Sequence, residues 1–200
     1  TLFPYTTLFR SEPQLHAVTN DQRSILRLAT RKVLAAGYRR VGLVLHANWD
    51  LGTDFSLSTG FIEAQQAIPV RQRIPIHYIE KANPPPDEKW GGRAPRSALE
   101  AWLRKYRPEA VIGFGPAVLP QLRELGLSVP QDLAFADMCV EKPDGTVAGV
   151  RHNCRRVGEL AVELLAGQLQ LHQVGLPPFP TSTLVEGTWF DGATLPVRRG

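Results

Sequence analysis

The sequence has few residues of the kinds that build covalent or metal frameworks. Of 200 residues, 2 are cysteine and 1 is methionine. Cys139 and Cys154 form no CxxC cluster of metal ligands and indicate no disulfide framework, so they are compatible with a reducing compartment. No apolar stretch approaches the roughly 20 residues that a membrane-spanning helix needs. We therefore expect no metal site and no membrane partner.

A strong excess of charge of one sign is also missing. Lys and Arg total 23 against 19 acidic residues, which gives a formal net charge of +4. Part of this excess is local, because Arg39 and Arg40 fall at the end of a predicted helix, where the helix dipole favours cations. With 43% hydrophobic and 21% charged residues, the composition is that of an ordinary globular protein. The basic balance is weak support for direct binding of nucleic acid.

Catalytic motifs are missing as well. GFGPAV (113–118) lacks the third glycine of a dinucleotide cradle. RHNCRR (151–156) fits two interpretations, a phosphate-binding helix start or a crossing segment with a solvated first turn. The five histidines show no HExxH spacing and no adjoining nucleophile elbow; they are His16, His46, His77, His152 and His172. The sequence favours a protein that is not an enzyme and uses no cofactor.

The first residues, TLFPYTTLFRS, repeat Thr-Leu-Phe and follow neither a helical nor a strand period. They resemble translated adapter sequence. They lack the charged region, the continuous apolar region and the cleavage site of a secretory signal. We expect residues 1–12 to be a non-native or disordered leader, and we expect the native chain to begin in the middle of a domain.

From Pro13 onward, short apolar runs alternate with amphipathic stretches. The predicted strands are 15–18, 41–45, 74–79, 110–114, 133–136, 144–150 and 183–187. Predicted helices begin near residues 21, 58, 96, 117 and 155, and the last of them is expected to bury its apolar positions, such as Val157, Leu165 and Leu169. HANWDLGTDFSLS (46–58) and the segment 83–95 are predicted loops. This alternation predicts an α/β fold with a parallel sheet that helices cover on both faces.

The stretch RELGLSVPQDLAFADM (123–138) shows one such unit in detail. Gly126 can adopt the left-handed backbone that ends a helix. Pro130 cannot rejoin the helix and favours an extended conformation at Val129. Leu133 to Ala136 then form a short apolar run, which is typical of a strand buried on both faces.

Five segments resemble, in the right order, successive blocks of one family. They are LATRKVLAAGYRRVGLVL (28–45), PEAVIGF (108–114), RELGLSVPQDLAFADM (123–138), GVRHNCRRVGELAVELL (149–165) and LVEGTW (184–189). Together they resemble the effector-binding region of the LacI/GalR transcription regulators, which shares its fold with type I periplasmic sugar-binding proteins. The resemblance implies a two-lobed type I periplasmic-binding-protein-like fold with parallel, doubly wound sheets and an incomplete N-terminal lobe.

The resemblance also implies a division of the chain and a set of partners. Residues 13–46 and 150–174 are expected to be a remnant of the N-terminal lobe, and residues 47–149 and 175–200 the C-terminal lobe. The expected function is sensing of a small-molecule effector, a carbohydrate or similar molecule, in a cytoplasmic regulator. DNA would be bound only through a missing N-terminal helix-turn-helix domain, and the intact protein is expected to be a homodimer. The alternative is a periplasmic sugar-binding receptor of an ABC transporter.

Ligands of such folds lie beyond the carboxyl ends of the parallel strands. That rule and the resemblance select the same three loops, HANWD, FGP and ADMC. A sugar-binding site needs aromatic faces for stacking, and carboxylates or amides for hydrogen bonds to the hydroxyls. The candidate ligand-binding residues are therefore Asn48, Trp49, Asp50, Phe114, Asp137 and Cys139. Five of them have a plainer alternative: Trp49 and Phe114 as packing residues, Asn48 and Asp50 as turn formers, and Asp137 as a residue that holds the core through a buried partner.

Three departures from the family pattern leave the ligand open. Leu57 stands where family members commonly have an arginine, and Gly115-Pro116 replaces a polar pair. The usual aspartate after the VPQD strand aligns with Cys139, and Asp137 lies two positions earlier. On a strand, an offset of two keeps the same face. Asp137 is therefore predicted to take the place of that aspartate.

Overall fold

The structure is a computed structural model that describes residues 13–79 and 96–198. The predicted leader and the predicted loop 83–95 lie outside the described residues. The strands are β1 (Ala17–Asn20), β2 (Val41–His46), β3 (His77–Ile79), β4 (Ala110–Gly113), β5 (Ala134–Asp137), β6 (Gly149–Arg151), β7 (Ser182–Val185) and β8 (Thr188–Phe190). The helices are α1 (Gln22–Ala35), α2 (Ala47–Gly52), α3 (Ser56–Gln65), α4 (Arg96–Tyr106), α5 (Gly115–Glu124) and α6 (Cys154–Gln170), with a short 3-10 turn at Val70–Gln72.

A six-stranded sheet forms the centre of the molecule, with the strand order β3-β2-β4-β5-β6-β8. The pairings from β3 to β6 are parallel, and β8 runs antiparallel to β6. β2, β4 and β5 are buried along almost their whole length, as continuous apolar runs in parallel sheets require. The prediction of an α/β fold with a mostly parallel sheet is confirmed. The carboxyl ends of β2, β4, β5 and β6 therefore meet at one edge.

Helix α1 covers one face of this sheet together with α3. Its apolar side chains Ile25, Ala29 and Val33 are completely buried, as its helical spacing predicts. Asp21 caps the helix, because its Oδ1 accepts a hydrogen bond from the Ser24 amide at 2.9 Å. The two helices approach closely at Gly60, where any Cβ would collide with the backbone of α1. This close packing makes α1 part of the main core.

The structure does not divide the chain at the predicted lobe boundary between residues 46 and 47. β2 pairs with both β3 and β4 in the centre of the six-stranded sheet. α1 and β2 therefore share one core with the residues that follow, because a strand between two partners cannot belong to a different sheet. The apolar pattern of residues 22–46 specifies a helix and a strand but not the sheet that they join, so it cannot place this segment in either lobe.

A second, smaller unit consists of β1, β7 and α6. β1 and β7 form a parallel two-stranded sheet with Ala17 opposite Ser182, and α6 lies against β1. The expected burial of apolar residues in α6 was wrong: none of its 17 residues, all of them described, is buried. Helical spacing predicted the apolar face correctly. In this structure, however, two short strands are too narrow a surface to cover that face.

Three further local predictions need correction. The predicted loop 46–58 contains α2 and the start of α3, since its turn-forming residues also suit a short helix. The predicted strand 74–79 is reduced to its last three residues. The strand β8 was not predicted, because it is only three residues long and only Glu186 and Gly187 separate it from β7.

Glu109, directly before β4, binds the segment after β8 to the amino edge of the six-stranded sheet. Its carboxylate accepts hydrogen bonds from the amides of Arg39 and Arg40, at 2.6 and 3.0 Å, and from the Arg198 guanidinium at 2.7 Å. Arg198 also lies over the ring of Tyr38, 4.4 Å from its centre. One carboxylate thus joins the α1–β2 loop to the end of the described chain.

No helix in residues 13–79 or 96–198 is both long enough and apolar enough to cross a membrane.

Candidate functional site

The carboxyl edge of the six-stranded sheet brings four loops together. They follow β2, β4, β5 and β6, and they begin at Ala47, Phe114, Met138 and His152. Neighbouring strands lie about 4.8 Å apart, so the three steps from β2 to β6 span about 14 Å. This row has the length of one or two sugar rings and is the place where doubly wound folds bind ligands.

Two of the predicted aromatic residues meet at this edge. The rings of Trp49 and Phe114 are 5.2 Å apart in an edge-to-face arrangement, and His46 lies 4.9 Å from Trp49. Trp49 and Phe114 pack against the core and are both half-buried, so part of each ring faces solvent. Asn48, on the same short helix α2, is exposed. The structure therefore brings the two rings together at this edge and leaves Asn48 exposed on the helix that carries Trp49.

Asp50 is placed differently from the expectation that it faces the ligand. Its side chain is completely buried. Oδ1 accepts a hydrogen bond from the Ser58 amide at 3.0 Å, and Oδ2 accepts one from the Tyr78 hydroxyl at 2.8 Å. Burial and this carboxylate raise the pKa of Tyr78, because both disfavour a phenolate. Asp50 thus caps the first turn of α3 and ties it to β3.

Asp137 also differs from its expected role as an open ligand contact. It is 6% exposed, and its Oδ1 accepts a hydrogen bond from the Cys139 amide at 2.8 Å. The Gly115 amide donates to the same carboxylate. Burial raises the pKa of Asp137 although the two amides oppose that rise. Because Phe114, the N-cap of α5, has no side-chain acceptor, Asp137 supplies the acceptor at this helix start.

The sequence predicts that Asp137 and Cys139 lie on the same face of one strand. β5 ends at Asp137, however, so Cys139 lies beyond the strand and this prediction does not apply to it. The chain turns at this point, and the amide of Cys139 folds back onto Asp137. The thiol is half-buried, and burial, followed by the charges of Asp137, Cys154 and Glu141, raises its pKa to about 11. Cys139 is consequently a neutral thiol at this edge rather than a nucleophile.

The residues after β6 were missed as site candidates. His152 Nε2 lies 3.2 Å from the Met138 carbonyl, which places His152 directly beside the loop after β5. Burial lowers the pKa of His152 and outweighs the opposing effect of that carbonyl, which favours a neutral imidazole. The rule that selected the loops after β2, β4 and β5 applies equally to β6. Applied to GVRHN, it would have found this fourth loop.

A cavity of about 340 Å³ opens at this fourth loop. Its lining residues are Arg151, His152, Asn153, Cys154, Arg155, Arg156 and Glu159. The size is at the lower end of that of small-molecule sites. Across the residues that the structure describes, no three His, Cys, Asp or Glu side chains come together as a metal site would require.

Comparison with known sequences finds one family model, that of the periplasmic binding protein-like domain, which matches residues 30–188. These residues include β2, β4, β5 and β6, together with all four loops of the carboxyl edge. Among curated proteins, none matches the sequence of this chain.

Several solved structures share the fold. A LacI-family transcriptional regulator from Enterococcus faecium with bound ribose superposes with a TM-score of 0.67 and 16% identity, over 95% of this chain and 69% of that one. A LacI-family regulator from Mycobacterium smegmatis gives 0.67 and 20%, over 94% and 68%. A periplasmic binding protein/LacI transcriptional regulator from Alkaliphilus metalliredigens, complexed with D-xylulofuranose, gives 0.65 and 13%, over 91% and 66%.

At these identities the likeness establishes the fold. This chain spans about two thirds of the length of these three proteins, and 55% of another similar structure, a complex of the transcriptional regulator CelR with cellobiose.

Proposed function

Because this chain belongs to the periplasmic binding protein-like domain family, we propose that it is the effector-sensing domain of a LacI/GalR-type transcription regulator. Its effector is a sugar or a sugar-like small molecule that binds at the carboxyl edge of the six-stranded sheet. The role of the domain is binding rather than catalysis.

The observation that carries this proposal is the ring pair of Trp49 and Phe114 at the carboxyl edge. The two rings lie 5.2 Å apart and remain partly open to solvent. The C–H faces of a sugar pack on such rings because both surfaces are apolar, while its hydroxyls stay directed at polar neighbours. Asn48 offers an amide that can donate to and accept from hydroxyls beside the rings.

The two aspartates take a supporting role in this site. Asp50 fixes the start of α3, and Asp137 fixes the start of α5 and the loop after β5. Because Trp49 precedes Asp50 directly and Phe114 precedes Gly115, these bonds determine where the two rings lie. Sites bind well when their contact residues are held by such supporting hydrogen bonds.

The solved structures with the same fold agree with this choice of effector. The regulator from Enterococcus faecium holds ribose, and the protein from Alkaliphilus metalliredigens holds D-xylulofuranose. For the present chain, effector binding is proposed to favour one arrangement of two lobes and thereby to change the affinity of a separate DNA-binding domain. The intact regulator would act as a homodimer in the cytoplasm, where its DNA is found.

A thermal-shift screen tests this function. The panel contains ribose, xylose, glucose and cellobiose, their phosphate esters and sugar acids, and amino acids as a control class of small polar molecules. A ligand at a hundredfold excess over its Kd stabilises the folded state by about 2.7 kcal/mol. For a chain of this size, that corresponds to a rise in Tm of about 5–10 °C. We expect such a rise with a sugar or sugar derivative. A rise with amino acids alone would contradict the proposal.

A further inference from the structure

Charged side chains are distributed unevenly along the carboxyl edge. The carboxylates of Asp50 and Asp137 are 0% and 6% exposed and already accept hydrogen bonds from backbone amides, whereas Glu141 and Asp144 in the loop after β5 are exposed. The arginines of the fourth loop, in contrast, line open space. A site for a neutral sugar usually offers carboxylates to its hydroxyls. The fourth loop of this edge offers guanidinium groups instead.

The cavity at the fourth loop gathers three guanidinium groups. Arg151, Arg155 and Arg156 line its volume of about 340 Å³, against one acidic residue, Glu159. Glu163 pairs with Arg156 at 3.2 Å beside the lining, so three positive charges stand against two negative charges, a local excess of one positive charge. The positive end of the α6 dipole adds to this potential, although the guanidinium groups are its main source.

The arginines remain available to a ligand. Arg151 forms no side-chain hydrogen bond or ion pair with any described residue. The side chain of Arg155 pairs with Glu159 at 3.1 Å but is 94% exposed, and Arg156, which pairs with Glu159 and Glu163, is 50% exposed. Ion pairs this exposed are weak, because water screens them. A phosphate or carboxylate can therefore compete for the same guanidinium groups.

The cavity adjoins the sugar site proposed above. His152 lines it and lies 3.2 Å from the Met138 carbonyl, and the Met138 amide donates to the Gly113 carbonyl at 2.9 Å, directly before Phe114. One continuous row therefore leads from the cavity to the rings of Phe114 and Trp49. Its length of about 14 Å can hold a sugar ring at one end and a charged substituent at the other.

We propose that the effector is an anionic sugar whose phosphate or carboxylate group binds in the cavity between Arg151, Arg155 and Arg156. This inference rests on the sugar-sensing function proposed above. Guanidinium groups fit this chemistry, because their paired N–H donors match the oxygens of a phosphate or a carboxylate in a bidentate arrangement. The sugar ring lies against Trp49 and Phe114, and the anion fixes its direction along the row.

Calorimetric titration tests the proposal with matched ligands: ribose, ribose 5-phosphate and ribonate, and glucose, glucose 6-phosphate and gluconate. For at least one sugar, the wild-type protein is expected to bind an anionic form roughly ten- to hundredfold more tightly than the neutral form, as charge-assisted hydrogen bonds imply. A preference for the ester identifies phosphate as the bound group, and a preference for the acid identifies carboxylate.

Variants then locate the charge. Arg151→Gln combined with Arg156→Gln is expected to remove the preference for the anion without changing the affinity for the neutral sugar. Arg151→Lys keeps the charge but loses the paired N–H donors, so it is expected to retain only part of the preference. The control is Arg71→Gln, since Arg71 is exposed and lies before β3, at the opposite edge of the sheet. Far-UV circular dichroism confirms that each variant is folded.

The outcomes separate this inference from the function on which it rests. Equal affinity for neutral and anionic forms overturns the inference and leaves the sugar-sensing function standing. An equal loss of preference in Arg71→Gln also overturns it, because the effect then comes from the overall surface charge. Failure of every sugar, neutral or anionic, to bind contradicts both.

Discussion

Asp137 and Gly115 occupy adjoining space at the carboxyl edge, so that a Cβ on residue 115 would collide with the Asp137 carboxylate. The same carboxylate accepts the hydrogen bond of the Gly115 amide. Two departures from the family pattern, a glycine after β4 and an aspartate at the end of β5, are thus explained by one contact. The absence of a side chain at residue 115 is what lets Asp137 reach the start of α5.

Substitutions at these two positions should be strongly coupled. Gly115→Ala forces the carboxylate or the helix start to move, which costs about 1–3 kcal/mol of unfolding free energy. Asp137→Ala leaves the buried amide of Gly115 and the half-buried amide of Cys139 without an acceptor and costs about 2–5 kcal/mol. In the double variant the collision is gone, so its cost should be smaller than the sum of the two single costs by at least about 0.5 kcal/mol. Urea unfolding of all four proteins measures this coupling.

Asp144 provides a matched control for the Asp137 substitution. It accepts a hydrogen bond from the Thr146 amide at 2.9 Å, with the same spacing of two residues, but it is exposed. Asp144→Ala should therefore cost less than about 1 kcal/mol, because water replaces the lost acceptor. Equal costs for Asp137→Ala and Asp144→Ala, or strictly additive effects of Gly115→Ala and Asp137→Ala, would count against the supporting role of Asp137.

A second prediction concerns Glu109 and acid stability. Although burial acts in the opposite direction, hydrogen bonds from the amides of Arg40 and Arg39 and from Arg198 hold the pKa of Glu109 below its ordinary value of 4.5. The ionised carboxylate is thus favoured in the folded state. Its stabilising contribution is complete above pH 4.5 and is lost as the pH falls through the lowered folded-state pKa.

Glu109→Gln should reduce the unfolding free energy at neutral pH by about 1–2 kcal/mol. This range is kept low because the side chain is partly exposed and water screens its ion pair. The difference from the wild type should shrink as the pH is lowered from 4.5 through the lowered pKa of Glu109, since the wild-type carboxylate is then protonated. Chemical denaturation at a series of pH values tests this, with the exposed Glu141→Gln as the control. A difference between wild type and Glu109→Gln that does not depend on pH would contradict the stated role of Glu109.

The third prediction concerns the apolar stripe of α6. Val162, Leu165 and Leu169 lie on one face at helical spacing and are 68%, 57% and 62% exposed. Exposed apolar surface of this kind promotes association. Replacing all three by Gln should reduce binding of a hydrophobic dye and shift the sedimentation profile of the isolated chain toward the monomer. Val70→Gln, which removes an isolated exposed side chain, is the control. Unchanged association in the triple variant would show that the stripe is not a contact surface.

The sequence predicts the sheet well, because buried parallel strands are short apolar runs with little ambiguity. VGLVL, AVIGF and LAFA all become neighbouring central strands. The rule for their carboxyl ends correctly brings Trp49 and Phe114 together, since it depends on strand direction alone. The same reasoning cannot assign a strand to a sheet. The apolar run of β2 is therefore compatible with either lobe until its partners β3 and β4 are known.

The roles of the carboxylates were not predictable from the sequence, for a different reason. Asp50 and Asp137 were selected because carboxylates bind sugar hydroxyls, but a carboxylate binds the amides of a helix start equally well. Which of the two partners it meets depends on contacts that pattern does not specify. Asp137 reaches Gly115, 22 residues earlier in the sequence, and Asp50 reaches Tyr78 on β3. The cavity at the fourth loop was likewise hidden, because RHNCRR supports two interpretations.

The final prediction concerns Trp49, whose ring packs edge-to-face on Phe114. The ligand is the sugar or sugar derivative from the screen that raises Tm most. Trp49→Ala should weaken binding of this ligand at least about tenfold, because it removes the larger of the two ring surfaces. Trp49→Phe keeps a ring at this position and should retain most of the affinity. Phe179→Ala removes an aromatic side chain that is 82% exposed on the far chain segment after α6, and it should leave the affinity unchanged.

Isothermal titration calorimetry of the wild type and these three variants with that ligand is the most direct test of the proposed sugar site. The predicted result is a loss of affinity confined to Trp49→Ala, in a protein whose circular dichroism and unfolding midpoint show that it is folded. Wild-type affinity in a folded Trp49→Ala protein would contradict the site, since the ring pair at the carboxyl edge would then make no contact with the effector.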